Sequence, residues 1–250
     1  MTDGVYYWDG VLPELVRLFT MVWGEPTVGM DRRQATSTVF AMRALRRVQA
    51  IDLLFKAGLY LESHMVVRAA YEDWLQISYM LRLSGDSRCE AFEESIHKLD
   101  ARVYDAFRSL SGPAPADRYF GELPPSVRQY VGKPRSRTQA APIASIADDC
   151  RLRTLHDFVY TYLSGASHPD ARWHNIFDLS ESIPMASIPG RDPAQEIRLA
   201  IWFCWFTART EILASKEFGI DHEAFVEEYL LPLLTETGPN LETCVLVREG

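Results

Sequence analysis

Tyr60-Leu61-Glu62-Ser63-His64-Met65-Val66-Val67-Arg68-Ala69-Ala70-Tyr71-Glu72-Asp73-Trp74-Leu75-Gln76-Ile77-Ser78-Tyr79-Met80-Leu81-Arg82-Leu83 is the stretch that decides the fold class of this 250-residue chain. On a wheel of about 100° per residue, Val66, Val67, Ala70, Trp74, Ile77 and Leu81 fill one side. Met65, Leu75, Tyr79 and Leu83 share the other side with Arg68 and Glu72. The polar strip between the two sides is narrow: Glu62, Ala69, Asp73 and Gln76. A helix that is apolar on two sides belongs in the middle of a bundle. Arg68 and Glu72, one turn apart, are then drawn part-way inside, where each charge needs a partner.

The surrounding chain repeats the pattern of long helical stretches and short punctuation. Pro13–Trp23 reads as a helix with proline near its start. Asp31 caps a second helix that runs to Ala57 and closes at Gly58. After Tyr60–Leu83 and Ser84-Gly85, Asp86 opens a fourth helix reaching about Leu110. A fifth spans about Ser145–Ala166. Asp192-Pro193-Ala194-Gln195 starts a sixth, which carries Trp202, Phe203, Trp205 and Phe206. Asp221 starts a seventh. Two long irregular loops, about 112–142 and 167–191, interrupt these elements, with one or two helical turns around Ser126–Val131. The expectation is an all-α, single-domain helical bundle of six to seven helices over 1–250, with its core in 31–220 and its third and fifth helices central and adjacent.

An apolar content of 47% and a charged content of 24% are those of an ordinary globular chain. The net charge is −8, and 217–250 carries eight acids against Arg248 alone. The acidic bias therefore sits at one end and leaves room for a basic surface elsewhere. Arg32, Arg33, Arg43, Arg46 and Arg47 read as solvated helix surface, and Arg128, Lys133, Arg135 and Arg137 as solvated loop. Cys89, Cys150, Cys204 and Cys244 show no paired spacing, which speaks for reduced thiols in a cytoplasmic protein rather than for a zinc site. The most apolar run, Leu199–Phe206, falls far short of the ~20 residues a membrane span needs.

Chemistry concentrates at two places. The first is the Arg68/Glu72 pair, read either as an internal salt bridge or as the wall of a polar pocket shared with another helix. The second is Tyr162-Leu163-Ser164-Gly165-Ala166-Ser167-His168-Pro169, where a helix ends on a histidine. His168 is either a C-terminal cap favoured by the helix dipole or a general acid–base. Arg68, Glu72, Ser164 and His168 are expected to converge in one pocket, joined by Arg153 or Asp157. His168, Asp170 and His174 match no metal-ligand spacing, so no metal and no cofactor is expected. A serine triad through Ser164 or Ser167 lacks the nucleophile elbow.

Arg68-Ala69-Ala70-Tyr71-Glu72, with Tyr160-Thr161-Tyr162-Leu163-Ser164-Gly165-Ala166-Ser167-His168, resembles a bacterial all-helical family of unknown function. Its helices read Arg-x-x-x-Glu and Tyr-x-x-Leu-Ser-x-x-x-His. The resemblance covers about Ala35–Pro169. That family is similar in turn to the HEPN superfamily of helical bundles found in toxin and phage-defence systems. Active HEPN proteins are metal-independent ribonucleases with an Arg four to six residues before a His, brought together in a dimer. The resemblance implies RNA as partner and a homo-oligomer. No Arg stands at that distance before His168. Arg151 and His156 match the spacing, but Leu152 follows the Arg, where active members carry a polar residue.

Three functional readings stay open on the sequence. One is an HEPN-like RNA-cleaving or RNA-binding effector. Another is a non-catalytic interaction or dimerisation module using the sixth helix's aromatic block and the acidic end. The third is a bundle enzyme that binds a metal or small molecule.

Overall fold

The computed structural model describes residues 4–20, 29–133, 142–165 and 193–232, and among them all regular structure is helical. The order is α1 (Gly4–Thr20), α2 (Arg32–Lys56), α3 (Tyr60–Leu81), α4 (Ser87–Ser111), α5 (Pro113–Phe120), α6 (Pro125–Arg128), α7 (Ile143–Asp149), α8 (Arg153–Gly165), α9 (Pro193–Lys216) and α10 (Glu223–Phe225). A π-helical turn, Val226–Leu230, continues α10. The all-α expectation holds. The helix count among the described residues is higher than expected because α5 and α6 fill part of the proline-rich 112–142 stretch. Pro113 and Pro125 sit in their first turns, where a missing N–H leaves no bond unmade. The expected loop 167–191 lies outside the described residues.

Local signals place several boundaries. Asp31 accepts from the Gln34 backbone N–H while the Gln34 side chain accepts from the Asp31 N–H, a reciprocal cap on α2. Gly58, at φ 72, turns the chain from α2 into α3. Pro13 misleads: α1 begins at Gly4 and holds the proline inside it. Trp8, Val11, Leu15, Leu18 and Phe19 form a buried stripe that extends the helix in front of the proline. The Trp8 indole N–H also donates to Asp52 of α2 at 3.0 Å.

The expected fifth helix is broken in two. The chain turns between α7 and α8 at Arg151, which has φ 60 and stands in the left-handed region without being glycine.

α9 lies against α1, α2 and α3. No residue of Leu199–Phe206 is more than 5% exposed, so the aromatic block is core and not an interface. Trp202, Phe203 and Phe206 meet Tyr162, Trp8 and Trp74 respectively. The central pair is therefore α3 and α9. α7 and α8 flank α3, which corrects the expectation that the third and fifth helices form the centre. Among the described residues no helix is long and apolar enough to cross a membrane.

Candidate functional site

α3 carries charge on two faces. On the face toward α8, Arg68 Nε donates to Glu72 Oε1 at 2.9 Å. Arg68 Nη2 donates to the Tyr160 hydroxyl, and the guanidinium carbon lies 4.3 Å from the centre of that ring. Arg68 is 22% and Glu72 32% exposed, so the pair sits at the edge of the interior. Two of the guanidinium's five N–H donors are engaged, and the other three have no partner among the described residues.

Deeper in the same seam, the Tyr160 ring stacks on His156 at 4.8 Å, one helical turn away. His156 Nδ1 is 3.1 Å from the Tyr71 hydroxyl. Burial first, and the Glu72 charge second, raise the Tyr71 phenol far above its ordinary range. The phenol therefore keeps its proton, burial likewise favours the neutral His156 ring, and the two share a hydrogen bond between uncharged groups. Ser164 lies further along α8, buried, with its Oγ unbonded among the described residues.

The His156 environment sets a pH dependence. Desolvation by burial lowers the His156 pKa in the folded state. The unfolded chain then binds more protons once pH falls below the ordinary value of about 6.5. The stability held by the neutral ring is complete above that value and is lost as pH falls through the lowered folded pKa. Urea unfolding between pH 7.5 and pH 5 is expected to show wild-type stability falling more steeply than that of His156→Gln. His222, also lowered by burial, contributes the same slope to both proteins and cancels in the comparison.

On another face of α3, toward α2, stands Asp73, which the wheel places in the polar strip. Its side chain is only 2% exposed. Arg43 Nη2 approaches Asp73 Oδ1 at 2.8 Å, and Arg47 Nη1 pairs with Asp73 Oδ2. Burial, reinforced by the Arg43 charge, pulls the Arg47 guanidinium down to about 10, still charged at neutral pH. Two arginines expected on solvated surface thus hold a buried carboxylate. Arg33 likewise is not free: it grips Glu217 at 2.8 Å and the carbonyls of Leu81, Leu83 and Gly85. Sequence reasoning missed Asp73. The signal was the i, i+4 pair Arg43/Arg47 on a helix whose neighbour offers one acid facing it.

Of the expected convergent residues, the structure brings Arg68 and Glu72 together, with Tyr160 as their α8 partner. Ser164 sits on the same helix one turn past Tyr160. Arg153 and Asp157 bond each other at 2.9 Å on the exposed side of α8 and do not join the seam. His168, Asp170 and His174 lie outside the described residues. Of the Arg151/His156 match, Arg151 is exposed in the turn before α8, and His156 is buried and engaged with Tyr71. Among the described residues, no three His, Cys, Asp or Glu side chains are grouped so as to hold a metal ion. The arrangement can present a fixed guanidinium to an anion, with a carboxylate holding it in place.

No curated protein and no solved structure matches this chain. A family model does match, over residues 34–181, a span that contains Arg68, Glu72, His156, Tyr160 and His168 and more than half of the chain. The chain thus belongs to the Family of unknown function (DUF5677).

Proposed function

We propose that the protein is an HEPN-like helical effector that binds RNA and cleaves it without a metal, in a defence or toxin-type setting. One observation carries this reading. Arg68 is part-exposed, clamped by Glu72 and Tyr160, and retains three donors for an incoming ligand. A guanidinium fixed in that way suits a phosphodiester better than a flexible ammonium does, because its planar fork meets two phosphate oxygens at once. In the proposed reaction the ribose 2′-hydroxyl attacks the adjacent phosphorus and the 5′-oxygen leaves, giving a 2′,3′-cyclic phosphate. His168 takes the hydroxyl proton and returns it to the leaving 5′-oxygen, and Arg68 stabilises the charge on the phosphoryl oxygens.

A second reading, a non-catalytic module that self-associates, is favoured by α4. Ile96, Leu99, Val103 and Leu110 recur there at helical spacing, and are 38%, 57%, 50% and 88% exposed.

The full-length protein in EDTA is expected to cut single-stranded RNA or tRNA, and His168→Ala to lower the rate by about 10²–10⁴-fold. Arg68→Ala is expected to weaken RNA binding and flatten its salt dependence, at little cost in stability because the pair is near the surface. RNA left both intact and unbound at low salt would remove the proposal. A stable homodimer in light scattering under the same conditions would then select the module reading.

A further inference from the structure

A second site lies further along α3 than Arg68, where that helix meets the start of α8. Between α3, the start of α8, and α9 there is a pocket of about 290 Å³. Trp74 and Trp205 line it, with Arg151, Arg209, Lys216 and Glu223 as its charged groups. Three cations face one carboxylate, so the lining is net positive. Glu223 is already shared, by Lys216 at 3.0 Å and Arg209 at 3.9 Å. The Arg209 guanidinium lies 4.4 Å from the centre of the Trp205 ring. Arg151 is the remaining cation, and its side chain has no hydrogen-bond or ionic partner among the described residues.

Among the described residues Arg151 is also the non-glycine with a positive φ. Its φ of 60 is one that side chains rarely adopt, and glycine or asparagine would take it at lower cost. That turn closes α7, with the Leu152 N–H on the Ala147 carbonyl at 2.7 Å and the Arg151 N–H on the Asp148 carbonyl at 2.9 Å, and it leaves the Arg151 side chain at the wall of the pocket. α8 begins at the same wall, with Thr154 and Leu155 lining the pocket and no acid in its first turn. Its dipole adds to the positive potential at that wall. The indole N–H of Trp205, a buried lining residue, finds no acceptor among the described residues.

We propose that this pocket binds a small aromatic anion, its charged group on Arg151 and the α8 N-terminus, its ring against Trp74 and Trp205. The volume sets the size: it falls just below the range of about 300–1,000 Å³ common for ligand pockets, enough for one ring and one anionic group. The charged group is a carboxylate or a phosphomonoester, both of which suit a guanidinium fork.

Titration calorimetry on the full-length protein with phenyl phosphate, benzoate and phenol tests this. At least one anion is expected to bind saturably, about tenfold or more tighter than phenol. The order of phenyl phosphate and benzoate identifies the anionic group. Arg151→Gly is expected to weaken the preferred anion by about tenfold while the thermal unfolding midpoint stays level or rises, because glycine takes the same φ without strain. A structural role for the Arg151 side chain would lower that midpoint instead. Phenol binding as tightly as both anions, the absence of saturable heat from either anion, or unchanged anion affinity in Arg151→Gly would each overturn the proposal.

Discussion

Replacing Asp73 by alanine is expected to destabilise the protein by about 3 kcal/mol, because it strands a buried cation. For a chain of this size, that lowers the thermal midpoint by about 6–12 °C. The carboxylate is 2% exposed and answers two guanidinium groups from α2, of which Arg47 is the more enclosed at 17%. Removing the acid leaves Arg47 desolvated and beside the like charge of Arg43, with the Glu72 charge as the remaining acidic influence on both. The desolvation penalty, not the lost attraction, dominates the result. A double replacement, Asp73→Leu with Arg47→Met, should therefore recover most of the loss, since it removes the buried charge on both sides. Chemical denaturation of the single and double variants checks this. A single variant within about 0.5 kcal/mol of wild type would mean that Asp73 is reached by water, contrary to its burial.

Phe206→Ala is expected to cost more, about 4 kcal/mol, within the range for truncating a fully enclosed aromatic ring. Phe206 has no exposed surface. Its ring stacks on Trp74 at 5.6 Å and meets Tyr71 edge-on at 5.1 Å. Both partners belong to α3, so the variant opens a cavity at the α3–α9 contact. Tyr71 in turn holds His156, and the loss should therefore reach the seam. Near-ultraviolet circular dichroism of Phe206→Ala should lose intensity while far-ultraviolet helicity is retained at low temperature. The same variant separates core from interface for the aromatic block. If that block mediated association, the replacement would change the oligomer without changing the unfolding midpoint.

The sequence carried the local structure well wherever side chain and backbone interact over a few residues. The Asp31/Gln34 cap and the Gly58 turn are of this kind. The Arg68/Glu72 pair was legible for the same reason, as an i, i+4 contact on one helix. Local rules failed where distant burial outweighed them. Pro13 stands inside α1 because Trp8 and Val11 gain more from the core than the proline loses. The continuous period over 145–166 hid the turn at Arg151, since both halves keep apolar residues in helical register.

What the sequence determined alone is the helical class and the charged pair on a helix too apolar for the surface, because both follow from 3.6-residue periodicity. Only the tertiary structure decided which charges are buried and which partners they have. Asp73 and Arg47 are far apart in the chain, and Tyr160 reaches Arg68 only because α8 lies along α3. Desolvation depends on what packs above a residue, and that is settled between helices rather than within one.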